Sequence, residues 1–189
     1  MNETIRTILE RRAIRRYDSK PIPRETLETI LQCAQYAPSG MNSQPWKFVV
    51  VTDPAFRETL VQKARSLAEG FAEGLKEKFP ERYQTIRQRF ESLPDPVFYG
   101  APVIFFIVTK RSDFADTSAG LAAENVMLAA KSFGLGSCWI GMAVGLNEDP
   151  EVRARMKLAD DEKISAPIIL GYPLESPEPA PRASEVLWI

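Results

Sequence analysis

Residues 101–109, APVIFFIVT, form a nearly continuous apolar run, and no other stretch constrains the fold as strongly. A short run rich in β-branched and aromatic residues, without polar alternation, reads as a buried strand. Residues 46–52, WKFVVVT, read as a second. Between them, residues 54–93 are charged and helix-prone, with Tyr83, Ile86, Phe90 and Leu93 at helical spacing and a break at Phe79-Pro80. This excursion, residues 54–98 at its widest, is either a solvated helix pair packed on the surface or, over residues 66–93, a lid above a pocket.

Two helices precede the first strand. Asn2 can cap a helix with Ile5, Ile8, Leu9 and Arg12 on one stripe, ending near Ala13. Pro23 then suits a first helical turn, Leu27, Ile30, Leu31 and Ala34 follow helical spacing, and Pro38, Ser39 and Gly40 stop the helix. Residues 114–133 predict a helix buried on more than one side, with Ala119, Ala122, Ala123, Val126, Ala130 and Phe133 on one face and Leu121 and Leu128 on another. Such small residues let helices approach closely, so it is either a central core helix or the seam between two copies. Residues 134–141 read as a turn into a strand, 149–156 as a short helix and 163–171 as a strand. Pro173, Pro177, Pro179 and Pro181 make residues 172–189 an extended arm, whose terminal VLWI needs burying. With 189 residues and no internal repeat, the chain reads as one domain, and its two leading helices argue against a doubly wound nucleotide fold.

Composition removes whole classes of chemistry. The chain has no histidine, which excludes Ser/His/Asp and Cys/His nucleophilic machinery and histidine-ligated metal, and two cysteines cannot make a metal site alone. Cys33 and Cys138 form no CxxC motif and read as small apolar residues suited to a reducing compartment. The first twenty residues contain Glu3, Glu10 and Asp18 and no apolar core of a leader, so the cytoplasm is the expected location. A net charge of -1 gives no overall attraction to nucleic acid or to an anionic membrane, and no apolar run approaches the roughly 20 residues of a membrane span.

Neither GxGxxG nor GxxxxGK[ST] occurs, so any phosphate must be held by side chains. Arg11, Arg12, Arg15 and Arg16 cluster where the first helix ends; they can fork onto phosphate oxygens or form a solvated charge run. The loop PSGMNSQPW, residues 38–46, can offer hydroxyl and amide groups to a planar heterocycle, or simply cap its own backbone.

Four segments in order, RRAIRRYDSKPIP, APSGMNSQPWKFVVVTD, AAENVMLAAKSFGLGSCWIG and ILGYPLESPEPAPR, resemble those of nitroreductase-family flavoproteins. The resemblance runs from Arg11 to Arg182 and is weakest over residues 54–98. It implies an α+β fold with a central mixed sheet flanked by helices, assembled as a homodimer with two FMN cofactors at the interface and the Ala-rich helix in the dimer core. It further implies that Arg11, Arg12, Ala13 and Arg15 contact FMN, Arg11 at the phosphate and Arg15 at the pyrimidine edge, with Ala13 standing where serine is usual. By the same resemblance Pro38, Ser39, Gly40, Met41, Asn42 and Gln44 contribute to the flavin site, with Met41 on the substrate face across the dimer. Ile140 and Gly141 bring a backbone amide to flavin N5, and Arg182 closes on the phosphate. The implied activity is ping-pong transfer of hydride from NAD(P)H through FMN to a nitroaromatic or quinone, with no side chain acting as acid or base. A dehalogenase-like flavin reductase and a flavin-binding protein without turnover are the alternatives.

Overall fold

In the computed structural model, which describes residues 1–110 and 112–189, a single antiparallel sheet carries helices on both faces. The helices α1 (Glu3–Glu10) and α2 (Arg24–Gln35) come first, then strand β1 (Trp46–Val51). Helices α3 (Pro54–Leu75) and α4 (Pro80–Ser92) lead to β2 (Val103–Lys110) and α5 (Ala115–Ser132). Strand β3 (Gly136–Trp139), a 3-10 helix (Gly141–Glu148), α6 (Pro150–Arg155) and β4 (Glu162–Gly171) follow, and residues 174–189 run without regular structure.

Local chemistry sets most boundaries. The Asn2 side chain accepts the Ile5 N–H at 3.0 Å, and Asp53 and Asp149 cap α3 and α6 by accepting from Phe56 and Val152, each ahead of a proline in the first turn. Pro80 has no N–H and restricts Phe79, which separates α3 from α4 as the sequence predicts. Helix α1 ends at Glu10 with Arg11 as its extended cap, three residues before the expected end near Ala13. The 3-10 helix over Gly141–Glu148 is an element the sequence reading did not anticipate.

The sheet order is β1-β2-β4-β3, and every named pair is antiparallel. The sheet expected to be mixed therefore has one parallel feature, the isolated bridge between Ala13 and Ser137. Strand β2 is central and buried on both faces. Ile104, Phe106 and Val108 pack with α3, α4 and the 3-10 helix, and Val103, Phe105 and Ile107 pack with α2 and α5. Each such side chain contributes about 1.5–3 kcal/mol by burial, which is why an uninterrupted apolar run was needed there.

Helix α3 buries Phe56, Leu60, Ala64, Ala68 and Ala72, so it is part of the core rather than a detached surface pair, whereas α4 buries only Phe90. Helix α5 is a core helix of the single chain, burying Ala119, Ala122, Ala123, Val126 and Ala130 against α2 and the sheet. Phe133, expected on that face, is instead the C-cap of α5 and 45% exposed, because the chain turns away at Gly134 with φ of 72°. The apolar stripe of α1, Ile5, Ile8 and Leu9, also lies exposed, and Trp188 in the terminal VLWI is 90% exposed, so the tail does not pack on its own chain. No helix among the described residues is long and apolar enough to cross a membrane.

Candidate functional site

Past α1 the chain crosses the ends of β3 and β4, and two glycines make the crossing possible. Gly136 and Gly171 are register partners in the sheet. A β-carbon on Gly136 would stand 2.8 Å from Cβ of Ile14, and one on Gly171 would stand 2.7 Å from Cδ1 of Tyr17. Without side chains there, the Ile14 N–H reaches the Ser137 carbonyl at 3.0 Å, and Tyr17 bridges to Pro173. The Tyr17 hydroxyl donates to the Ile14 carbonyl at 2.5 Å. Burial pushes this phenol far above its usual range, so it stays protonated and keeps donating.

This crossing holds the basic cluster in place. Arg11 and Arg12 line a cavity of about 220 Å3 with Gly134, Ser137, Glu175 and Ser176. Arg12 Nη1 donates to the carbonyls of Leu9 at 2.7 Å and Arg11 at 2.8 Å. Arg11 Nε lies 3.6 Å from the Glu124 carboxylate, too long for a hydrogen bond. The Nε atoms of both arginines are buried without a hydrogen-bond partner. Guanidinium groups that border one cavity can offer donors to an anion there, and Lys131 joins them in a lining that also includes the carboxylates Glu10 and Glu175. Glu175, which also lines the cavity, accepts the Arg15 N–H at 2.6 Å. Burial pushes the Cys138 thiol up, against the opposing pull of Arg15 and Arg11, and leaves it protonated and inert at neutral pH.

At the far end of β3, the two residues expected to approach a flavin differ. The Ile140 N–H donates to the Pro167 carbonyl at 2.9 Å and is committed to the fold. Gly141 opens the 3-10 helix, and among the described residues its N–H goes to no backbone carbonyl. Beside it lies a cavity of about 390 Å3 bordered by Leu67, Ala68, Phe71, Met142 and Gly145, with no ionisable side chain. Leu67 and Phe71 fall inside the segment proposed as a lid. Sequence reading did not single them out, since a lone Leu and Phe among helix formers look like any amphipathic stripe.

The loop after α2 is backbone-strained. Met41, Asn42 and Gln44 adopt φ of 54°, 54° and 45°, each costing about 1–2 kcal/mol for a residue with a β-carbon. Internal hydrogen bonds hold it: Gln44 N–H to Ser39 Oγ, Asn42 N–H to the Ser39 carbonyl and Ser43 N–H to the Gly40 carbonyl, each at 3.0 Å. Gly40 packs so close to Phe114 that an added β-carbon would stand at 3.1 Å. Ser39 thus does cap its own loop, while Met41 is 96% exposed.

In one chain the predicted residues form two groups. Arg11, Arg12, Ala13 and Arg15 lie together on the crossing segment, on β3, whose end carries Ile140 and Gly141. Asn42 and Gln44 open instead into a separate cavity of about 560 Å3 with Tyr36, Trp46 and Phe48, and Pro38 is exposed beside it. Arg182 is exposed on the tail, outside the residues that line the Arg11 cavity.

A family model described as the nitroreductase family matches residues 8–172. The chain is 31% identical to a chloronitrobenzene nitroreductase of Comamonas testosteroni over 87% of its own length and 84% of that protein. It superposes on an FMN-bound nitroreductase of Bacteroides fragilis with a TM-score of 0.79 at 30% identity, covering 100% of this chain and 98% of the other. A nitroreductase of Desulfitobacterium hafniense with bound FMN gives a TM-score of 0.83 at 25% identity, covering 100% and 99%.

Proposed function

The chain belongs to the nitroreductase family, and on that premise we propose that it oxidises NAD(P)H and reduces an electron-poor nitroaromatic or quinone, in turn, at FMN sites of a homodimer. Its cofactor is FMN, and its class is NAD(P)H-dependent flavin oxidoreductase. When bound, FMN supplies the hydride and electron transfer, which requires no side-chain acid or base from a chain without histidine.

The observation that carries this reading is the pair of arginine side chains, Arg11 and Arg12, that border one cavity in a chain without a glycine phosphate cradle. They supply the donors that FMN phosphate requires. Arg15 holds a cation where negative charge develops on reduction, and Gly141 offers its N–H at the reacting edge. Ala13 serves through its backbone alone. The apolar cavity of Leu67 and Phe71 takes the acceptor ring and excludes water from it.

The homodimer reading rests on the split site. Pro38, Ser39, Gly40, Met41, Asn42 and Gln44 complete the flavin site from the second copy, which also covers the exposed stripe of α1 and the terminal VLWI. Arg182 closes on the phosphate from the tail. With two free thiols and NAD(P)H as reductant, the cytoplasm is the proposed setting.

The deciding experiment is the visible spectrum of purified, desalted protein before and after anaerobic addition of NADH or NADPH. Flavin bands that bleach with reductant and return on adding nitrobenzene or a quinone support the proposal. A colourless protein that takes up no added FMN rejects it.

A further inference from the structure

Arg89 stands in the last turn of the charged helix α4, where solvation would be the ordinary fate of an arginine. Its side chain turns inward instead. Nη1 donates to the Tyr99 hydroxyl at 3.0 Å, Nη2 reaches Met142 Sδ at 3.6 Å, and Nε is buried with no partner. Among the described residues no carboxylate pairs with it. Arg89 is half-buried, so part of its guanidinium is withdrawn from water with neutral partners and no counter-charge.

Both of its contacts lead to the flavin-facing residues. Met142 directly follows Gly141. Over the Tyr99 ring, the Arg15 guanidinium carbon lies 6.0 Å from the centroid, within range of a cation–π contact. Tyr99 is held firmly for this purpose. It sits at φ of 57°, and the Asp95 carboxylate fixes the turn by accepting from the N–H groups of Val97, Phe98 and Gly100 at 3.2, 2.8 and 2.9 Å. Two guanidinium groups therefore meet one tyrosine, Arg89 at its hydroxyl and Arg15 at its ring, and neither side chain has an acidic partner among the described residues.

We propose that Arg89 is a positioning residue for the flavin site, setting Arg15 through Tyr99 and Gly141 through Met142, and so tying the excursion helix α4 to the reacting end of the site. The proposal rests on the flavin reading above. It explains why α4, which buries only Phe90 from its apolar side, is anchored by a charged side chain.

The test compares R89M, R89K and Y99F with wild type, reading FMN affinity by quenching of flavin fluorescence on titration into apoprotein, and the midpoint potential of the bound flavin. R89M is expected to weaken FMN binding about 3- to 10-fold, less than loss of a direct charge-assisted contact because Arg89 acts through Tyr99 and Met142, and to move the potential to more negative values. Y99F removes only the hydroxyl and should reproduce part of that loss, and R89M/Y99F should lose no more than R89M alone. R89K, which keeps charge without the fork, should recover part of the potential. Wild-type affinity and potential in both R89M and Y99F, or full additivity in the double variant, overturns the proposal. If R89M does not fold, Y99F and R89K decide it alone. A wild-type protein that takes up no FMN rejects the flavin reading itself, a result distinct from wild-type uptake that the variants leave unchanged.

Discussion

Ile14 rests directly on Gly136, with space for nothing larger than hydrogen between them, since a β-carbon on the glycine would stand 2.8 Å from that of Ile14. This contact fixes where Arg11, Arg12 and Arg15 stand relative to β3. Gly136→Ala should lift the crossing segment, costing about 1–3 kcal/mol by overpacking and lowering FMN retention together. Thermal unfolding and flavin content after dialysis read the two effects. An unaltered flavin content in a destabilised variant would detach the crossing from the cofactor.

Arg11 and Arg182 are both assigned to the phosphate, yet only Arg11 borders the cavity within one chain. Arg11→Ala should weaken FMN binding by about 10- to 150-fold, the equivalent of one shielded charge-assisted hydrogen bond. Arg182→Ala should weaken it as well on the proposed closure of the tail over the phosphate. Full flavin retention on dialysis in either variant removes that residue from the site.

Leu67 and Phe71 border the apolar cavity beside Gly141. Leu67→Ala and Phe71→Ala should change KM for neutral aromatic acceptors while FMN content stays at wild type. Phe71 is 60% exposed, so its truncation carries little folding cost. Loss of FMN in these variants would make the segment structural rather than a lid.

The terminal residues Val186, Leu187, Trp188 and Ile189 are exposed at 62–115%, an apolar cluster that a second copy would cover. For the proposed homodimer, ending the chain after Arg182 should shift the equilibrium toward monomer at micromolar concentration, read by light scattering on a sizing column. A truncated chain with the same dimer mass would place the interface on α1 and the loop alone.

The Val152 N–H, and then Lys63, hold the Asp149 carboxyl below the usual carboxylate range. Its folded value is thus lower than its unfolded one, so its stabilisation is full above the unfolded value and is lost as pH falls from there through the lower folded value. Asp149→Asn keeps a capping side chain and removes the charge, and should cost under about 1 kcal/mol at neutral pH. The gap between wild type and variant should close below about pH 4, measured by urea unfolding across pH. A gap independent of pH would mean that the charge contributes nothing.

Much of the fold was legible because it follows from local rules. The apolar runs marked β1 and β2, Pro80 marked the break between α3 and α4, and Asn2 marked the start of α1. The parts misread depend on long-range neighbours. Phe133 shares the spacing of the buried face of α5, but the turn at Gly134 carries it into solvent. The 3-10 helix over Gly141–Glu148 carries an ordinary mixture of Gly, Met, Ala, Val and Leu that announces no particular helix.

The candidate site divides along the same line. Residue types alone brought Arg11 and Arg15 under consideration, since a phosphate needs donors and this chain encodes no glycine cradle for it; the loop from Pro38 to Gln44 offered hydroxyl and amide groups, and Gly141 entered only through the family resemblance. Only the tertiary structure decided that Ile140 has spent its N–H on Pro167 while Gly141 has not, and that the loop and the arginines open into different cavities. It alone placed Arg89 on Tyr99. Whether a donor is satisfied depends on acceptors distant in the chain that the fold brings near, and that pairing has no signature in local spacing.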